Sequence, residues 1–118
     1  YSCFVSEQTR LPFMTMWDAV GAILALMKAP KNSLRRAVYH VAAFSPSARD
    51  FREKIVSFFP NAEIDFAVDE NRQSIVDSWP MDIDDTAARE QWGWNPEYDF
   101  DGAFEDYLIP EIRKRYNP

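Results

Sequence analysis

A chain of 118 residues with 47% hydrophobic and 27% charged residues has the balance of one soluble globular domain and is too short for two. Its net charge of −6 disfavours nucleic acid and anionic membrane surfaces, which call for a basic face. One cysteine and one histidine supply neither a disulfide framework nor a metal-ligand set, so a reducing, cytoplasmic setting without a bound metal is the expectation.

Tyr1 to Val5 reads as a short strand, entered at once without an initiating Met, so the sequence reads as the remainder of something longer. Cys3 fits that strand as a small buried hydrophobe. Ser6 to Thr9 is the turn after it, and Leu11 to Met16 is extended, with Pro12 suited to an edge. Asp18 opens a helix to about Lys28, and Ala19, Val20, Ile23, Leu24 and Met27 share its one broad apolar face. Pro30 stops it. The uncharged stretch Ala19 to Met27 is about half of what a bilayer span needs.

After the polar loop Lys31 to Arg35, Ala37 to Phe44 is an apolar run of the buried-strand type. That places His40 inside a strand, as a structural residue rather than a catalytic one. Ser47, with Asp50 three residues on, starts a helix carrying Phe51, Ile55, Phe58 and Phe59 on one face and ended by Pro60. Glu63 to Val68 alternates as a half-buried strand. Asp69 to Pro80 reads as a loop with one helical turn.

Asp84 and Asp85 cap a short helix through Trp92, and Gly93 closes it. Trp94-Asn95-Pro96 is a turn. A last helix begins near Asp99 or Asp101 with Phe100, Phe104 and Leu108 inward, and Pro110 breaks or kinks it before Glu111 to Tyr116. The order predicts an α/β fold, a few strands covered by four or five helices.

Chemistry-bearing motifs are absent from the sequence. Gly21, Gly93 and Gly102 are the only glycines, so no Gly-rich phosphate loop and no Gly-flanked nucleophile elbow can form. Asp82, Asp84 and Asp85 make one carboxylate cluster, in which helix capping explains Asp84 and Asp85. No catalytic, cofactor-binding or metal-binding residue is expected on this chain.

Between Arg72 and Phe100 the residues become distinctive. Arg72-Gln73-Ser74-Ile75-Val76-Asp77-Ser78-Trp79-Pro80 is followed by Ile83-Asp84-Asp85, Ala88-Arg89, Trp92-Gly93-Trp94-Asn95-Pro96 and Tyr98-Asp99-Phe100. Upstream stand Thr9-Arg10-Leu11-Pro12-Phe13-Met14, Met16-Trp17-Asp18-Ala19 and Tyr39-His40-Val41-Ala42. Together these strings resemble the C-terminal end of the extended short-chain dehydrogenase/reductases, most closely the short-chain type of L-threonine 3-dehydrogenase, related in fold to the UDP-galactose 4-epimerases. The resemblance runs over essentially the whole chain. His40 departs from it, standing where the family usually carries Asn, as do the Phe44 to Ser47 stretch, Pro110 and the basic tail.

The resemblance implies one substrate-binding lobe over residues 1–118, with the NAD-binding Rossmann core absent or incomplete. In the complete family member, NAD on that core accepts hydride from the L-threonine hydroxyl, giving 2-amino-3-ketobutyrate. The family's Tyr-x-x-x-Lys pair belongs to the N-terminal part. Here Val5, Ala43, Gly102 and Glu111 stand four residues after Tyr1, Tyr39, Tyr98 and Tyr107.

For the pocket lining the candidates are Ser78 and Trp79, with Arg72 and Arg10 as anion partners for a small polar substrate. The plainer readings are that Trp79 packs the lobe, Ser78 caps a turn, and the arginines pair with carboxylates. Trp92 and Trp94 are assigned to the core. Two other functions fit the same residues. One is the substrate lobe of a nucleotide-sugar epimerase or dehydratase; the other is a non-catalytic interaction module. The isolated chain is expected to be inactive and to bind no NAD, and its Rossmann-facing surface is a candidate for self-association.

Overall fold

The computed structural model describes residues 1–116. Two short strands, β1 (Ser2–Cys3) and β2 (Asp65–Phe66), pair in parallel, with Ser2 opposite Asp65 and Cys3 opposite Phe66. Parallel pairing requires a long crossover. Here it holds α1 (Met16–Lys28) and α2 (Ala48–Phe58). After β2 come α3 (Glu70–Asp77) and α4 (Thr86–Trp92). A terminal helix then runs through α5 (Phe100–Gly102), a π-helical segment (Ala103–Leu108) and α6 (Ile109–Tyr116). The result is a small α/β unit, as the order of elements implied.

Local capping chemistry sets most helix ends. At α2 the Ser47 side chain accepts the Asp50 N–H while Asp50 accepts the Ser47 N–H at 2.7 Å, the reciprocal capping box. Gly93 closes α4 at φ 74°, a conformation that side chains with a Cβ resist. The start of α1 differs from expectation. Thr15, not Asp18, is its cap, because the Thr15 hydroxyl is placed to accept the Asp18 N–H at 3.0 Å. Asp18 is buried, and its carboxylate accepts the Thr15 hydroxyl at 2.9 Å and the Glu97 N–H at 2.6 Å.

Further expectations are corrected. The broad apolar face of α1 points outward: Val20, Ile23, Leu24 and Met27 are between 48% and 76% exposed, while Asp18 and Ala22 face inward. The inner side meets Trp94 and Ala88, where only small residues fit. Asp69 to Pro80 is not a loop, since the Asp69 carboxylate accepts the Asn71 and Arg72 N–H groups and nucleates the eight-residue α3.

The run Ala37 to Phe44 joins no sheet. Its end is tied to Phe13 by an antiparallel bridge, with Phe13 N–H donating to Phe44 O at 2.8 Å. Among the described residues no backbone–backbone hydrogen bond reaches residues 37–41. Tyr39 and Val41 pack on the core, whereas Val38 and His40 are exposed, so His40 is not the buried structural histidine expected.

Pro110 does not break the last helix, which continues through it to Tyr116. Lacking an N–H and crowding the preceding turn, it is accommodated by the π-helical segment, in which the Ile109 N–H reaches Phe104 O. The inserted residue slides the inner face along by one. Ile109 is buried with Phe104, and Leu108, expected inward, is 36% exposed.

The buried core is Trp94 with Ala22 and Ala88. Beside it the phenylalanines Phe13, Phe44, Phe51, Phe100 and Phe104, in edge-on or tilted pairs with ring centroids 5.1 to 6.0 Å apart, join α2 to the terminal helix, Phe104 buried and Phe13 exposed. Lys54 reinforces that junction by reaching Asp101 at 2.7 Å and Glu105 at 2.8 Å. The unit remains a slab of 52 × 39 × 17 Å. It exposes 8501 Å², where a globular protein of 13.8 kDa exposes about 6,600 Å². No described helix is long and apolar enough to cross a membrane.

Two substitutions test this account. Gly93→Ala forces a Cβ into the left-handed region and is expected to cost about 1 kcal/mol in denaturant unfolding. Asp50→Asn addresses pH. The Ser47 backbone N–H, then its hydroxyl, hold the Asp50 carboxyl below its ordinary range, with Arg10 and Arg49 adding smaller pulls. A depressed carboxyl stabilises above the unfolded-state value, and that share is lost as pH falls through the folded value. The expected outcome is a lower unfolding midpoint for the variant at neutral pH and a flatter loss as pH falls below the ordinary aspartate value of about 3.9, read by thermal melts.

Candidate functional site

Two chain segments build a groove beside the sheet. The first is the turn after β1, closed by the Thr9 N–H donating to Ser6 O at 3.1 Å and by a 2.9 Å bond between the Ser6 and Thr9 hydroxyls. The second is the end of α3 with the Trp79-Pro80-Met81 stretch that follows. Gln73 of α3 clamps the two together. Its Oε1 accepts the Ser6 N–H at 2.7 Å, and its Nε2 donates to Thr9 Oγ1 at 3.0 Å and to Asp77 Oδ1 at 2.6 Å. The space between the walls is about 530 Å³, with Thr9, Arg10, Val76, Asp77, Trp79 and Met81 among its lining residues.

Arg10 and Trp79, both predicted from sequence, line this groove. The Arg10 side chain is half-exposed. Its Nη1 donates to Ser45 O at 2.8 Å, and its Nη2 lies 3.6 Å from Asp50, so the head is braced while part of its fork still faces solvent. Trp79 is 53% exposed, so its side chain is available to the groove. Ser78 and Arg72 stand elsewhere. The Ser78 hydroxyl donates to Ile75 O at 2.6 Å and closes α3, and the Arg72 guanidinium lies over the Phe4 ring at 4.8 Å.

Gln73 and Asp77 escaped the sequence reading. A Gln and an Asp four residues apart face the same side of a helix. That signal needs the helix to be recognised first, and Asp69 to Pro80 read as a loop.

The carboxylates Asp82, Asp84 and Asp85 are engaged in structural contacts. Asp85 accepts both Arg89, at 2.8 and 2.9 Å, and the Trp94 indole N–H at 3.1 Å. The Thr86 hydroxyl and amide hold the Asp84 carboxyl below its usual range, and the Ser45 hydroxyl and the Ile83 amide do the same for Asp82. An apolar cavity of about 240 Å³ between the sheet and α2 is walled by Cys3, Val5, Phe51, Ile55, Ile64 and Phe66. Cys3 is half-buried there. No group of three His, Cys, Asp or Glu among the described residues is placed to hold a metal ion. The groove therefore presents one cation, one anion and an indole, a set able to bind and orient a small polar molecule.

No protein-family profile matches the sequence. Individual proteins do. Mitochondrial L-threonine 3-dehydrogenase of Bos taurus is 36% identical over 99 residues, covering 84% of this chain and 26% of that protein. An uncharacterized epimerase/dehydratase of Staphylococcus haemolyticus is 37% identical over 118 residues, covering 99% of this chain and 37% of its own length. Among solved structures, L-threonine dehydrogenase from Clostridium difficile superposes with a TM-score of 0.88 at 31% identity, over 98% of this chain and 36% of that one. The Phytophthora infestans enzyme gives 0.87 at 33% identity, over 97% and 37%. The chain thus spans between 26% and 37% of the length of these curated relatives. By sequence and by fold, the chain corresponds to the C-terminal part of L-threonine 3-dehydrogenases and of the related epimerase/dehydratase proteins.

Proposed function

We propose that this chain is the substrate-side lobe of an NAD-dependent oxidoreductase that converts L-threonine to 2-amino-3-ketobutyrate, working in the cytoplasm. The observation that carries the reading is the groove in which Arg10 and Trp79 face a common space of about 530 Å³, on a chain homologous to threonine dehydrogenases. A guanidinium suits the substrate carboxylate, and an indole face suits its methyl group. Ser78 and Arg72 contribute indirectly, by ending α3 and by packing on Phe4.

The residues of this chain do not suit a dinucleotide. Gly21, Gly93 and Gly102 are scattered, and none opens a helix after a strand, so no backbone cradle for a pyrophosphate forms. The chemical step and its cofactor are therefore assigned to the remaining length that the relatives possess. This lobe binds, orients and excludes water. The outward apolar face of α1 is the surface on which that remainder would rest, and in isolation the same face would drive self-association.

The epimerase/dehydratase relatives favour a second reading, in which the groove admits part of a nucleotide sugar. Arg10 would then meet a diphosphate.

Assays separate these readings. The isolated chain is expected to show no NAD binding by calorimetry and no L-threonine-dependent NAD reduction by absorbance; clear activity from it would overturn the assignment. In the complete enzyme carrying this segment, Arg10→Ala and Trp79→Ala should each raise KM for L-threonine by about tenfold, about 1.4 kcal/mol of binding. Turnover of a UDP-sugar with no action on L-threonine would install the second reading instead.

A further inference from the structure

Asp77 is an oddly placed carboxylate. It is the last residue of α3, at the negative end of the helix dipole, where a cation would be the favourable choice. No basic residue occupies that last turn, and no ion pair to Asp77 occurs among the described residues. Its one side-chain hydrogen bond comes from a neutral donor, Gln73 Nε2 at 2.6 Å, to Oδ1. Oδ2 accepts none among the described residues. The carboxylate is exposed, held through one oxygen by Gln73 with the other oxygen free of protein donors among the described residues, and part of the wall that also includes Arg10 and Trp79.

We infer that Asp77 is the ammonium-binding residue of the groove, with Gln73 holding its carboxylate in the receiving orientation. The inference rests on the reading of the groove as an L-threonine site. An α-amino acid zwitterion carries its two charges on groups joined to one carbon, so a site that recognises it needs an anion and a cation on walls of the same small space. Asp77 and Arg10 meet that requirement, and Trp79 leaves an apolar face for the side-chain methyl. The electrostatic misfit at the end of α3 is then the cost of a charge kept for the substrate, the kind of local compromise found at functional sites.

Asp77→Asn in the complete enzyme tests it, because the change keeps shape and removes charge. The variant should melt at the same or a higher temperature, since it relieves the clash with the helix end. KM for L-threonine should rise about tenfold or more, with KM for NAD changed less than about twofold. Discrimination between L-threonine and 3-hydroxybutyrate, which lacks the ammonium group, should shrink by a similar factor. A variant that loses stability and keeps its KM for L-threonine would overturn the inference and leave Asp77 as a partner of Gln73 alone. Gln73→Leu provides an independent arm: it should raise the same KM, and an unchanged value in a folded variant would remove Gln73 from the assignment. A wild-type enzyme inactive on L-threonine would instead remove the reading on which all of this rests.

Discussion

The burial of Trp94 governs how the rest of the slab is arranged. It is 5% exposed, and its ring packs with Ala22 of α1 and Ala88 of α4. Its indole N–H lies 3.1 Å from an Asp85 carboxylate oxygen and 3.4 Å from Ala42 O, so one side chain touches two helices and an extended segment. On the sides where the two helices approach it, the indole meets alanines, Ala22 and Ala88. α1 therefore turns its alanine side to Trp94 and sends Val20, Ile23, Leu24 and Met27 outward. The large bare apolar face is a direct consequence of where the indole sits.

The same logic explains why so little of the chain is deeply buried. Each element has a packed side and an open side, which is how a unit of 13.8 kDa comes to expose 8501 Å². The extended run 37–41 shows this at the level of the backbone, with Tyr39 and Val41 seated on the Trp94 core and Val38 turned away. The groove of Arg10 and Trp79 is better determined than its surroundings, because Gln73 ties its two walls with short bonds across a sequence separation of more than sixty residues.

What could be read in advance follows the range over which each signal acts. The Ser47–Asp50 capping box and the Gly93 stop are local, involve residues within one turn, and stood in the sequence plainly. The helical period of α1 was equally visible, but a period reveals a stripe and not which way it faces. That direction was decided by Trp94, some seventy residues later. α3 was hidden because Glu-Asn-Arg-Gln-Ser-Ile-Val-Asp has no apolar period, its one clue being Asp69 as a cap. The strand reading of 37–44 rested on composition, and composition does not supply a neighbouring strand. For the site, Arg10 and Trp79 were reached through resemblance, and only coordinates could bring them to one groove with Asp77.

The widened turn at Ala103–Leu108 has an effect beyond accommodating Pro110. An extra residue in a helix rotates everything beyond it by roughly 100° about the axis. The azimuth of Arg113, Lys114 and Arg115, the densest positive charge on an otherwise acidic chain, is thus inherited from a single imino acid several residues upstream. Evolution at position 110 would re-aim the tail without altering any of its charges.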